Sequence, residues 1–239
     1  MSKPIKTMFS HGLFEAKGST PEAIGTLRIL ADGRKFRLAK AGAAALSPGK
    51  LAMAPAAVAD HINRTGVATK VGDARIEMTV GATAVGDGQY AGGYLQINTG
   101  PGAGMQYKIQ SHGTCVASGT LTVVLEETIR VALDATSKLS LIPSPWMGTV
   151  ESDTEEGVPA GITPCPVPAG FYYWAQTSGP AAALIAGTPA VGSMLVPGAV
   201  AGSLSAMNAT LDIDQPVVAK TMATAGVDTQ YKPVLLGIE

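Results

Sequence analysis

At 239 residues with a formal net charge of −1, the chain is long enough for one large or two small domains. Only 15% of its residues are charged, against about 25% in an average soluble domain, while 29 glycines and 16 prolines punctuate the backbone. That composition excludes an intrinsically disordered chain and points to an all-β class of many short strands joined by Gly/Pro turns.

The charge is unevenly placed. Residues 1–50 hold nine Lys/Arg against three Asp/Glu, a balance of +6, and residues 51–239 hold eight against fifteen, a balance of −7. Spread over fifty residues with only Phe9, Phe14 and Phe36 as stacking partners, the basic charge makes no nucleic-acid arm. It reads as a solvated face or as a surface that docks on an acidic protein, where complementary charge steers association.

Residues 1–25 lack alternation and are expected to form an extended arm. Their opening stretch has no apolar h-region, so the expectation is synthesis in a cytoplasm without a secretory signal. Between residues 26 and 40, Leu27, Ile29, Phe36 and Leu38 alternate with polar residues around Asp32-Gly33, which predicts a hairpin closed by a tight turn with Leu27 and Ile29 inward. Pro48-Gly49 marks a second turn, and residues 41–59 are too interrupted by Gly and Pro for a helix.

Further strands are predicted at 75–80 with Ile76, Met78 and Val80 inward, at 92–98 through Tyr94 and Ile97, at 105–110 through Tyr107 and Ile109, and at 121–125, 128–133 and 138–142. Pro143-Ser144-Pro145 marks a boundary, and the acidic residues 151–156 read as a solvated loop. Beyond it, 161–167, 171–177, 193–196, 217–223 and 231–237 are candidate strands of a second small barrel or sandwich. The expected organisation is an arm at 1–25, a β-rich domain at 26–145 and a small barrel-like domain at 146–239.

Residues 157–211 carry no Asp, Glu, Lys, Arg or His, and this run includes Phe171, Tyr172, Tyr173 and Trp174. Its longest apolar piece, residues 181–186, falls far short of the roughly 20 a spanning helix needs, so no membrane partner is expected. Charge depletion with aromatic enrichment marks either the core of an interface between subunits or an ordinary core, and composition leaves both open.

The chemistry-bearing motifs are weak. The glycines at 86–92 and 100–104 precede strand-like rather than helical sequence, so neither is a nucleotide loop. Cys115 and Cys165 stand apart, which predicts buried free thiols without a disulfide framework or metal spacing. His11, His61 and His112 lack neighbouring ligands, Ser111, His112 and Cys115 lie in no nucleophile-elbow context, and the acidic cluster has no calcium-loop pattern. No enzyme activity, cofactor or metal is expected.

The segments 30–42 and 46–51, then 89–95, 129–133 and 168–176 followed by Gly179-Pro180-Ala181, resemble in their order structural proteins of tailed-bacteriophage virions. The carboxy-terminal part resembles the small β-barrels of capsid decoration, or cement, proteins. The resemblance implies a non-enzymatic homotrimer on the capsid exterior that binds the major capsid protein and reinforces the shell. The contact residues it suggests are Phe9, Phe14, Arg34, Lys35, Arg37, Tyr172 and Trp174. A tail or fibre component is the alternative, and a carbohydrate-binding module using Tyr172, Tyr173 or Trp174 is a third reading. The fold class expected is all-β, with short-stranded sandwich or barrel modules and an extended amino-terminal arm.

Overall fold

The computed structural model describes residues 9–151, 157–208, 214–223 and 227–239. The first eight residues of the expected arm, residues 152–156 of the acidic stretch and the end of the charge-free run from 209 lie outside the described residues. The fold is all-β. In chain order the described strands are β1 (Leu27–Ile29), β2 (Lys35–Ala41), β3 (Leu51–Met53), β4 (Arg64–Thr65), β5 (Arg75–Thr79), β6 (Tyr94–Thr99), β7 (Gln106–His112), β8 (Thr120–Leu125), β9 (Lys138–Ile142), β10 (Met147–Thr149), β11 (Pro159–Ile162), β12 (Tyr172–Ile185), β13 (Met194–Pro197), β14 (Leu204–Ala206), β15 (Ala219–Thr221) and β16 (Gln230–Gly237). One 3₁₀ turn, Ala59–His61, is the only helical element among the described residues.

The chain forms two compact units, one from Met1–Pro55 with Gly148–Glu239 and one from Ala56–Met147. This corrects the expected division at 25/26 and 145/146. The break near 145 falls where the chain re-enters the first unit, but the strands before residue 55 belong with those after it, because β2 pairs along β12 from Tyr172↔Lys40 to Ser178↔Lys35. The second unit is thus an insertion. Its two ends leave and return beside one another: Met53 and Val150 exchange backbone hydrogen bonds of 2.8 and 3.1 Å.

In the inserted unit the strand order is β4-β9-β6-β7-β8-β5, and a bridge from Gly66 to Met78 brings the chain after β4 back onto β5. Closure removes both sheet edges. Ile76, Met78 and Val80 face the core as their spacing predicts, as do Tyr107 and Ile109. On β6 the inward pair is Leu95 and Ile97, which leaves Tyr94 half-buried on the other face. Residues 128–133 form no strand; Ile129 is buried from a loop that bridges Thr69 at Leu133 and donates from the Arg130 amide to the Tyr107 hydroxyl of β7 (3.0 Å). The core also holds a satisfied polar network. His61 donates from Nε2 to the Thr83 carbonyl (3.0 Å) and accepts at Nδ1 from the Tyr90 hydroxyl (2.5 Å), while His112 Nε2 accepts from the Tyr90 amide (2.8 Å). Burial raises the Tyr90 phenol to about 12.

The enclosing unit is organised around β12. Its first half pairs with β2 and its second half with β16, and a register shift between Gln176 and Ser178 marks the change of partner. Gln176, itself buried, donates from Nε2 to the carbonyls of Ser178 (3.2 Å) and Pro180 (2.8 Å), so its side chain satisfies the backbone that the bulge takes out of the ladder. Beyond the bulge, β12, β14, β13, β15 and β16 close a five-stranded ring; all pairings are antiparallel except the single parallel contact Ile185↔Leu204. Ala183, Ile185, Leu195, Leu204, Val234 and Leu236 fill it. Much of the described charge-free run is therefore barrel core. The alanine-rich second half of β12, expected as loop, is strand because β16 pairs with it residue by residue from Ser178↔Gly237 to Ile185↔Gln230.

The first hairpin differs from expectation in turn and in facing. Leu30 N–H donates to the Arg34 carbonyl and Gly33 N–H to the Leu30 carbonyl, both at 3.0 Å, so three residues make the turn and Gly33 adopts φ +85°. On β1 it is Arg28 that faces inward, opposite Phe36, with its guanidinium carbon 4.7 Å from the Phe9 ring centroid and 5.5 Å from that of Trp174. A cation–π contact at such a partly exposed site contributes about 0.5–1 kcal/mol. Leu27 and Ile29 consequently lie outward, 38% and 58% exposed. Residues 9–25 form no free arm, since Lys17 and Tyr172 exchange backbone hydrogen bonds of 3.0 and 2.7 Å, and Phe9 and Leu13 pack on Trp174, Phe36 and Leu38. Glu151, expected in a solvated loop, is paired with Lys50 at 2.9 Å and accepts from the Ser47 amide.

Residues 56–147 expressed alone are expected to unfold in one cooperative transition, and a chain joining Pro55 to Gly148 through a short turn is expected to keep the other barrel. Calorimetry checks both; loss of cooperative unfolding in either piece contradicts the insertion. Gln176→Ala is expected to cost about 1–3 kcal/mol in urea denaturation, the range for leaving buried polar groups unsatisfied.

Candidate functional site: an apolar groove beside the carboxy-terminal barrel

A surface row in the enclosing unit follows from strand alternation. On β16, Val234 and Leu236 point into the barrel, so Tyr231, Pro233 and Leu235 point out, and their partners on β12 are Leu184, Ala182 and Pro180. Small and cyclic side chains leave this wall low. Around it rise Phe14 from the amino-terminal segment, Arg34 from the first turn, Pro48-Gly49 from the second turn and Thr163-Pro164 after β11. The resulting groove has a volume of about 690 Å³, within the range of ligand-binding clefts.

Two aromatic rings flank the groove, Phe14 at 71% exposed and Tyr231 at 54%. Tyr231 is held by close approach to Gly49, where an added Cβ would lie 2.7 Å from the ring and the backbone sits at φ +72°. Arg34 donates from Nε to Asp32 (2.7 Å), and its backbone N–H bonds the same carboxylate at 3.1 Å. These two bonds hold the Asp32 carboxyl below its ordinary value. Lys232, the other cation of the lining, donates to the Gly187 carbonyl at 3.2 Å, and no Asp or Glu lines the groove. Chemically this is a binding surface: apolar walls, aromatic rims and one guanidinium at the edge.

Of the residues the sequence suggested as contacts, the structure brings Phe14 and Arg34 to this groove. Lys35 and Arg37 lie on the opposite face of β2 from Phe36 and Leu38, and Arg37 is bonded to Glu239 at 2.9 Å and to the Gly25 carbonyl at 2.8 Å. Tyr172 is half-buried with the Lys40 ammonium 5.1 Å from its ring centroid. Phe9 packs edge-on against Trp174 at 5.0 Å. Trp174 is 0% exposed, so it supports the amino-terminal segment from beneath and offers no contact surface. Of the sugar platform suggested for the aromatic run, Tyr173 is equally buried, which leaves Tyr172 as its one partly exposed ring. Removing residues 1–20 would uncover this core rather than trim an arm.

The remaining candidates are committed elsewhere. His112 bonds the Gly113 carbonyl at 2.8 Å through Nδ1 and the Tyr90 amide through Nε2, and Cys115 Sγ bonds the Val116 carbonyl at 3.4 Å. Both cysteines are buried free thiols. Among the described residues no three His, Cys, Asp or Glu side chains converge as a metal site. Sequence reasoning missed Tyr231, Pro233 and Ala182, although the alternation of residues 231–237 carries the signal for the first two.

Trp174→Ala is expected to destabilise the enclosing unit by about 3–5 kcal/mol, as for a large core truncation. A surface role would leave stability within about 0.5 kcal/mol of the parent; urea melts decide. Gly49→Ala is expected to lower the melting temperature and to loosen Tyr231, seen as broadened ring resonances. The chain matches no protein-family profile, no curated protein and no solved structure, so its functional reading rests on this geometry and on the order of the sequence segments.

Proposed function

We propose that this chain is a non-enzymatic capsid decoration, or cement, protein that binds the outside of an assembled tailed-phage head and stabilises the shell. The observation that carries the reading is the groove: a rigid antiparallel wall that leaves apolar side chains and two aromatic rings in water. Exposed apolar patches of this kind mark interaction surfaces. Further exposed apolar residues on the same barrel, Met194, Val217, Met222 and Leu235, extend the apolar surface beyond the groove. A cement protein gains from such extent, because it touches several subunits of the shell at once and its affinity rises without new kinds of contact. The partner in this reading is the major capsid protein, the copies act as a homotrimer, and the location is the exterior of the virion.

The test is co-sedimentation with matching capsids stripped of this protein, titrated to saturation and compared with free capsid subunits. Saturation at a simple ratio to the major capsid protein, with little binding to free subunits, is the expected result. Ala182→Arg, which places a charge on the groove floor, is expected to weaken attachment about tenfold or more. Absence of pelleting by the parent protein would transfer the reading to a tail or fibre component.

A further inference from the structure

The segment that covers Trp174 contains a buried histidine whose hydrogen bonds fix which ring nitrogen carries the proton. Glu22 accepts from the Ser10 amide at 2.8 Å, from Ser10 Oγ at 2.5 Å and from the Thr20 hydroxyl. Ser10 and Thr20 both spend their hydroxyl protons on that carboxylate. Ser10 Oγ, 3.0 Å from His11 Nδ1, is therefore left as an acceptor there, and the imidazole must donate from Nδ1. The lone pair then belongs to Nε2, which is buried and has no hydrogen-bond partner. The ring lies against Trp174, with centroids 5.6 Å apart and planes tilted by 33°.

We propose that His11 is the latch of an acid-released clasp: proton uptake at Nε2 undocks residues 9–22 from the Trp174, Phe36 and Leu38 face. A proton added there gains no acceptor and places a charge among apolar rings. The charged groups around it do not rescue it. From β1, Arg28 sits over Trp174 and donates to the His11 carbonyl at 3.1 Å, and Lys17 adds a second cation from the segment itself. Glu22 and Glu15 act in the opposite sense, but the Glu22 oxygens are already engaged by Ser10 and Thr20. Trp174 on β12 faces the ring without charge, and Phe36 and Leu38 on β2, packed with Trp174, add none. Burial is the largest influence, and the imidazole is held below its ordinary value.

The sign follows. The free segment binds the proton more readily than the docked one, so docking is fully stable above the ordinary imidazole value of about 6.5 and weakens as pH falls toward the depressed value. Across that window the docking equilibrium moves by up to about tenfold per pH unit for one proton. The clasp does not depend on the capsid reading. Phe14 belongs to the same segment, so one rim of the groove leaves with it.

The test is acrylamide quenching of Trp174 in a Trp146→Phe background, together with a proton NMR titration of the His11 ring, from pH 8 to pH 5. Quenching is expected to rise as pH falls below about 6.5, with the midpoint coinciding with the His11 titration. His11→Asn keeps an N–H for Ser10 and takes up no proton, so its quenching is expected to stay flat, as is that of His11→Phe. A flat parent curve overturns the proposal, and so does an equal rise in either variant that is docked at pH 8. If both variants are undocked at pH 8, the parent decides alone: coincident midpoints support the clasp and separated midpoints overturn it.

Discussion

The strand β12 is shared between two pairings, and the enclosing unit depends on how it passes from one to the other. Over residues 172–178 its partner is β2, and over 178–185 its partner is β16. The register shift at the change is a bulge, and a bulge bends and twists its strand and takes backbone groups out of the ladder. Gln176 repairs this locally by bonding two of the freed carbonyls. Because that amide is buried, the repair is intramolecular and fixed, and the two halves of β12 are held at a defined bend. The barrel wall that carries Ala182 and Pro180 takes its direction from that bend, as does the face that carries Trp174.

The same strand explains why an apolar surface stays open beside the barrel. The inner residues of β16 fill the barrel, and alternation forces the others outward. Prolines at 180 and 233 and alanine at 182 keep that wall low, so residues from four separate segments rise above it as rims. Tyr231 is fixed by contact with the Gly49 backbone rather than by burial. An exposed ring held in one place loses little conformational freedom on binding, which favours association.

Elements built on local alternation were legible in the sequence. The inward sets of residues 75–80 and 105–110 follow directly from their spacing, and the glycine stretches precede strands as their context requires. What escaped depended on distant partners. Leu27 and Ile29 look like inward residues until Arg28 is seen stacked with Phe9 and Trp174, an arrangement that reverses the strand's facing. Residues 178–185 contain Gly179 and Pro180, which argue for loop, and only pairing with β16 overrides them. The insertion was hidden for the same reason, since β2 and β12 meet across more than a hundred intervening residues. In the aromatic run Tyr173 and Trp174 are buried while Phe171 and Tyr172 stay partly exposed, and composition does not distinguish a ring covered by its own chain from one covered by a neighbour. Of the groove, Phe14 and Arg34 were within reach of sequence reasoning, while the floor was not, because it is made by register.

The insertion also orders events during synthesis. β1, β2 and β3 are made first, yet β2 has no long partner until β12 emerges, and the barrel of the enclosing unit does not close until β16 at Gln230–Gly237. The stretch Ala56–Met147 holds all its own partners and is complete well before that point. On the ribosome the chain therefore carries one finished barrel between an open beginning and an unmade end, and its first 55 residues wait with unpaired strand edges. A product cut short before β12 keeps that edge exposed, and one cut between β12 and β16 leaves the second half of β12 without its partner, which makes the enclosing unit, and not the inserted one, the place where an incomplete chain exposes strand edges.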